Sequence, residues 1–157
     1  MRNLIVCKLS QYVISIGIER VVEVTRVVAA EKAPGLPSGV VGLCLYDTDV
    51  VFVVDLHSML NIPRETYGPS ARMLIVKMND IFLGIMVDAV LNVCTVVETD
   101  GGNIERFPSV ISKKMFSRAY KYNGRYMYEL DPARLLHPQE HAQLAHHRGN
   151  TTGGNNE

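Results

Sequence analysis

Three groups of residues have types and spacings that could do chemistry. Asp47 and Asp49 are carboxylates one residue apart and could share general acid and base work. His137, His141, His146 and His147 crowd the C-terminal region, and the first two stand at i, i+4, where one helical face could offer two imidazoles to a metal. Cys7, Cys44 and Cys94 would be nucleophiles if a neighbouring base or positive charge lowered their pKa.

Each group has a plainer reading. Asp47 and Asp49 flank a predicted hairpin turn, where aspartate is common for backbone reasons, and no apolar pocket stands nearby to shift either group. The histidines complete no recognisable ligand set and lead into a polar tail. The cysteines lie among valines, leucines and isoleucines, far apart and odd in number, which argues for packing rather than a disulfide framework or a metal knuckle. The residues therefore predict no catalytic site, no metal and no cofactor, and the chain is not expected to be an enzyme.

Composition narrows the remaining classes. The 157 residues carry 16 basic and 16 acidic side chains, without the basic excess of a nucleic-acid binder. Apolar residues make up 47%, which suits a packed domain. No apolar run approaches the roughly 20 residues that cross a bilayer, and the first residues lack the pattern of a signal peptide. A cytoplasmic protein without membrane insertion is expected.

The elements that must position any site emerge when the sequence is compared with itself. Shifted by 69 positions, residues 3–24 fall without gaps on residues 72–93, so that Leu4-Ile5-Val6 meets Met73-Leu74-Ile75 and Glu19 meets Asp88. Shifted by 76, residues 47–60 fall on 123–136, so that Asp47-Thr48 meets Asn123-Gly124 and Asp55 meets Asp131. The two matches, in the same order, indicate a diverged tandem unit of strand, turn, strand, short segment, strand, hairpin and capped helix. Asn123-Gly124 suits a type I′ turn, and Tyr120, Tyr122, Tyr126 and Tyr128 alternate around it as on a two-faced hairpin. Asp131-Pro132 reads as an N-cap followed by proline at the first helical position, and Asp55 can cap the matching helix, which Pro63 would stop. The run Val50 to Val54 suggests a strand buried on both faces.

Neither half is long enough for an independent core, so two similar, closely packed β-barrels with short helices are expected. The segment from Ile62 to Ser70 would link them. Residues 1–136 would form the domain and 137–157 a polar tail too poor in apolar surface to order itself.

Over roughly residues 4–136 the chain resembles the CheW family of chemotaxis coupling proteins. Pro34-Gly35-Leu36-Pro37, Val41-Gly42, Val53-Val54-Asp55-Leu56, Val21-Val22-Glu23-Val24 and Gly84-Ile85-Met86-Val87-Asp88-Ala89-Val90 carry the resemblance by their order and spacing. The resemblance implies two five-stranded barrels with interleaved chain. It also implies an adaptor in two-component signalling that couples methyl-accepting chemoreceptor tips to the regulatory domain of a CheA-type histidine kinase, and self-association through barrel ends. Val21 and Gly42 match family positions implicated in receptor contact, although Gly42 could equally serve close packing. The family hairpin Asn-Leu-Arg-Gly aligns with Leu45-Tyr46-Asp47-Thr48, so Asp47 replaces an arginine, and Arg72 stands where a relative can carry an apolar contact residue. The expected protein-binding residues are thus Val21, Gly42, Tyr46, Asp47, Thr48 and Arg72, with a reversed charge at the hairpin. Two other readings are a CheW-like regulatory module of another two-component protein and a small-barrel nucleic-acid binder. The second rests on the tyrosines with Lys121 and Arg125.

Overall fold

The computed structural model describes residues 1–63, 66–97 and 114–154, with side chains as far as Arg148. Ten strands form in chain order: β1 (Arg2–Leu9), β2 (Tyr12–Gly17), β3 (Val21–Arg26), β4 (Val40–Tyr46), β5 (Asp49–Val54), β6 (Arg72–Met78), β7 (Ile81–Val87), β8 (Ala89–Val96), β9 (Phe116–Tyr122) and β10 (Arg125–Leu130). Two 3₁₀ turns, η1 (Ile18–Arg20) and η2 (Pro132–Arg134), and two helices, α1 (Leu56–Met59) and α2 (Pro138–Gly154), complete the described chain.

The strands make two five-stranded sheets, ordered β8-β1-β2-β10-β9 and β3-β6-β7-β5-β4. The tandem unit is visible in both, but neither unit makes a sheet alone. Each sheet takes its first two strands from one unit and the other three from its copy. One sheet is therefore contiguous in sequence, from β3 to β7, and the other is split between β1–β2 and β8–β10. Registers repeat as well: Ser15 lies beside Glu129 in the parallel β2–β10 pair, and Gly84 lies beside Val53 in the parallel β7–β5 pair.

Each sheet curls until its edges share one interior. In the split barrel, Leu4, Val6, Val13, Tyr120 and Met127 pack with Cys94 and Val96 of one edge strand and Tyr122 of the other. In the contiguous barrel, Val51, Val53, Met73, Ile75 and Met86 pack with Val27, Ala30, Cys44 and Tyr46. Two hydrogen bonds close the seams at equivalent places: the Tyr122 hydroxyl donates to Asn92 Oδ1 at 2.8 Å, and that of Tyr46 donates to Glu23 Oε2 at 3.1 Å. The contiguous seam gains backbone pairing, since Glu31 and Leu43 exchange N–H···O bonds of 2.7 and 2.8 Å.

Most of the apolar burial lies between the barrels. Ile5, Cys7, Ile14 and Ile16 from one side meet Phe52, Leu74, Val76 and Leu83 from the other in a single cluster. Val50 to Val54 are buried throughout because alternate residues face this shared core and the barrel interior. The caps form as read: Asp55 accepts from the amides of His57 and Ser58, and Asp131 from that of Ala133.

Two expectations change. The segment from Ile62 to Ser70, of which residues 64 and 65 lie outside the described set, joins α1 to β6, so it links the sequence units and not the barrels. The barrels are joined where β2 passes through η1 to β3 and where β7 turns at Asp88 into β8. The segment expected to be a flexible tail folds as α2 from Pro138 to Gly154. Its composition is polar, but Leu144 is wholly buried in the shared core with Ala145 against it, and the Glu140 carboxylate accepts the His137 amide at 2.8 Å.

Candidate partner-binding surface

All six expected contact residues fall on the contiguous barrel, though not in one patch. Tyr46, Asp47 and Thr48 form the tip of the β4–β5 hairpin, which has a two-residue turn because Tyr46 pairs with Asp49. Asp47 adopts φ 52, the left-handed region that aspartate tolerates better than most residues, and its counterpart Asn123 has φ 49. Asp47 and Thr48 are exposed. Tyr46 bonds Glu23, and that hydrogen bond, followed by burial and the nearby charges of Glu23 and Asp47, holds its phenol above the ordinary tyrosine range. Glu23 and Asp47 thus set negative charge beside the Tyr46 phenol, with Asp49 its partner across the ladder.

Val21 opens β3 and is half-buried, with its side chain against the shared core. Arg72 stands at the far end of the same ladder. Val21 pairs with Val76 and Arg26 with Arg72, so about 16 Å of strand separates the two ends. Arg72 donates to the carbonyls of Pro69 and Ala71 at 2.9 and 2.7 Å, and faces a like charge across the ladder.

Gly42 is buried at a β-bulge. A Cβ there would stand 2.7 Å from the Glu31 carbonyl oxygen and 2.9 Å from the Ala30 Cβ. Backbone cannot yield as a side chain does, so the glycine is needed for the approach of residues 30 and 31 that closes the seam.

The residues first considered for chemistry have settled roles. Burial raises all three thiols, that of Cys7 to about 12, so they stay protonated and pack. Asp47 belongs to the turn and Asp49 begins β5. His141 donates its amide to the His137 carbonyl, and the His147 ring lies edge-on to Phe52, 6.0 Å between centroids. Among the described residues no group of three or more His, Cys, Asp or Glu side chains comes together as metal ligands do. Of the four tyrosines behind the nucleic-acid reading, Tyr120 and Tyr128 are buried, Tyr122 is half-buried and Tyr126 is exposed, and Arg125 donates to the Gln11 carbonyl.

Reading the sequence missed Glu23 as the partner of Tyr46. It also missed a buried histidine, His57, on α1. The duplication held a signal for the first: Tyr46 maps to Tyr122 and Glu23 to Asn92, and a pair retained as a pair in both copies marks a contact.

No described helix is long and apolar enough to cross a membrane. The family model of the CheW-like domain matches residues 3–140. Among solved structures, the scaffolding protein TtCheW from Thermoanaerobacter tengcongensis superposes with a TM-score of 0.80 at 20% identity, covering 88% of this chain and 90% of that one. No curated protein matches by sequence. The matched domain spans most of the chain, and the protein belongs to the CheW-like domain family.

Proposed function

We propose that this chain is a cytoplasmic adaptor that couples chemoreceptor tips to the regulatory domain of a CheA-type histidine kinase, and that its hairpin tip selects a partner bearing positive charge. The observation that carries this reading is the acidic hairpin tip of a CheW-like domain: Tyr46 has Glu23 and Asp47 beside it and Asp49 across the ladder, and Asp47 stands where the family pattern holds an arginine. Like charges facing each other across an interface cost affinity, so the tip disfavours a partner built for arginine and favours its charge-reversed counterpart.

The same pattern supports self-association. At positions equivalent to Leu45 and Asp49, the β9–β10 hairpin carries Lys121 and Arg125, so one hairpin tip is acidic and the other basic. A head-to-tail contact between copies would then be heterologous and salt-sensitive.

The test is co-purification with receptor-tip hairpins and kinase regulatory domain, comparing wild type, Asp47→Asn and Asp47→Arg. Asparagine keeps the left-handed backbone and removes only charge, so it separates turn geometry from recognition. We expect Asp47→Arg to weaken the cognate complex by roughly tenfold or more and Asp47→Asn by less. Equal binding by all three proteins would refute the hairpin as a contact.

A further inference from the structure

The helix α2 has no counterpart in the first unit. After Leu60 the chain runs through residues 62–70 into β6, whereas after the equivalent Leu136 it builds a helix from Pro138 to Gly154. Both five-stranded sheets are complete without it. The helix leaves the split barrel at η2 and is tied to the contiguous one. Gln143 donates to the Gly35 carbonyl ahead of β4, Arg148 donates to the Asp80 carbonyl in the β6–β7 turn, and the His147 ring meets Phe52 of β5 edge-on.

Several features make this a weak attachment. Among the described side chains of α2, Leu144 alone is fully buried. The hydrogen bonds from Gln143 and Arg148 are exposed, so water competes for donor and acceptor alike. The packing beneath is incomplete: a cavity of about 170 Å³ is lined by His141, Ala142 and Ala145 of the helix and by Met78, Asp80 and Ile81 of the barrel. Groups that border a hollow lose the dispersion contacts that a closed interface supplies.

The helix draws little stability from its own backbone either. Its last six residues, Gly-Asn-Thr-Thr-Gly-Gly from 149 to 154, are types of low helix propensity, and a helix of this length is marginal without tertiary support. The surface it rests on is of the opposite kind. Phe52 and Ile81 belong to the shared core, whose strands pair along their whole length. An element with few buried apolar contacts opens at a lower free energy than the core beneath it.

We infer that α2 is a detachable lid: it leaves as a unit while both barrels stay folded, and its departure uncovers an apolar seat at Phe52 and Ile81. The helix is the seat's own occupant, and the structure is the closed state. No partner is needed for this, and it stands apart from the proposed coupling role.

Amide exchange on the full chain tests it, in the regime where opening equilibria set the rates. Amides of residues 144–148 should be protected at least about tenfold over an unfolded chain, and at least about a hundredfold less than those of β6 and β7. Leu144→Ala should lower the α2 protection by roughly thirtyfold or abolish it. By linkage, β6 and β7 should then lose no more than the factor by which α2 was protected. The same variant should bind anilinonaphthalene sulfonate with a severalfold rise in fluorescence as the seat is uncovered. Equal protection of α2 and β7, or unprotected α2 amides in the wild type, would overturn the lid. So would a larger loss in β6 and β7, a variant that does not fold, or unchanged dye fluorescence.

Discussion

The split barrel and the contiguous barrel have the same strands in the same register, yet their interiors differ in kind. Where the contiguous barrel places Val53, Gly84, Ala71 and Cys44, the split barrel places Glu129, Ser15, Arg2 and Tyr120. Glu129 is 4% exposed and takes the Arg2 guanidinium on Oε2, while its Oε1, Ser15 Oγ and the Tyr120 hydroxyl are buried without hydrogen-bond partners among the described residues. Arg2, Arg20, Arg118, Glu129 and Asp131 line a cavity of about 230 Å³ at that end. One scaffold thus tolerates an ionic interior in one copy and an apolar one in the other. The backbone does not dictate the chemistry inside it; the residue opposite does. A carboxylate is accommodated where an arginine already stands, and a valine where the opposite wall is a glycine filled by the Met73 thioether.

Breaking this comparison gives the largest effect. Val53→Glu would copy Glu129 into the contiguous barrel without its Arg2, since Ala71 stands at that position. A buried, unpaired carboxylate should cost more than about 4 kcal/mol and leave little folded protein, read as a lost cooperative urea transition. A transition near the wild-type midpoint would mean that the contiguous interior is open to water.

The shared core offers a sharper contrast, because Cys7 in the first unit corresponds to Val76 in the second. The Cys7 thiol is raised from 9.0 to about 12 by burial, so the folded state holds its proton more tightly than the unfolded chain. The sign follows: this contribution is intact below about pH 9 and is lost as pH climbs toward 12. The loss tends toward about 4 kcal/mol. Cys7→Val should flatten the alkaline limb of a stability–pH curve measured with urea, and identical limbs in the two proteins would remove Cys7 as its cause.

Exchange of small residues gives the smallest effect. Gly84→Ser places a Cβ 2.6 Å from Met73 Sδ, forcing the thioether aside and burying a hydroxyl, at about 1–3 kcal/mol. Ser15→Ala, its mirror in the split barrel, removes a hydroxyl without a partner among the described residues and should change stability by less than about 1 kcal/mol. Equal costs for the two substitutions, by thermal melts, would show that the interiors are not distinct.

Much of the fold was legible because the tandem units kept their spacing. Shifts of 69 and 76 predicted equivalent strands, and the equivalence survives to the register of single residues such as Ser15 and Gly84. Asp55 and Asp131 cap as their types demand, since an N-cap is a local matter. Strand exchange was not legible from the residues themselves, because apolar alternation in β3 and β8 would satisfy either neighbour equally. The helix α2 was hidden since a single fully buried leucine, Leu144, anchors a polar segment. At the candidate surface the turn could be read from its residues and its contact role only from the family resemblance, whereas Glu23 depends on a fold that brings residue 23 to residue 46. The glycine at 42 was ambiguous until the Glu31 carbonyl was seen beside it.

The exchange of strands has a consequence for synthesis. Every strand of the contiguous barrel lies between Val21 and Val87, so that barrel can close once Val87 has left the ribosome. The β1–β2 hairpin emerges earlier yet must wait for β8 and β10, with an apolar face and two unpaired strand edges in the interval. These strands are therefore made before the contiguous barrel and find their sheet after it, and this waiting hairpin is the stretch that a nascent-chain chaperone would have most reason to hold.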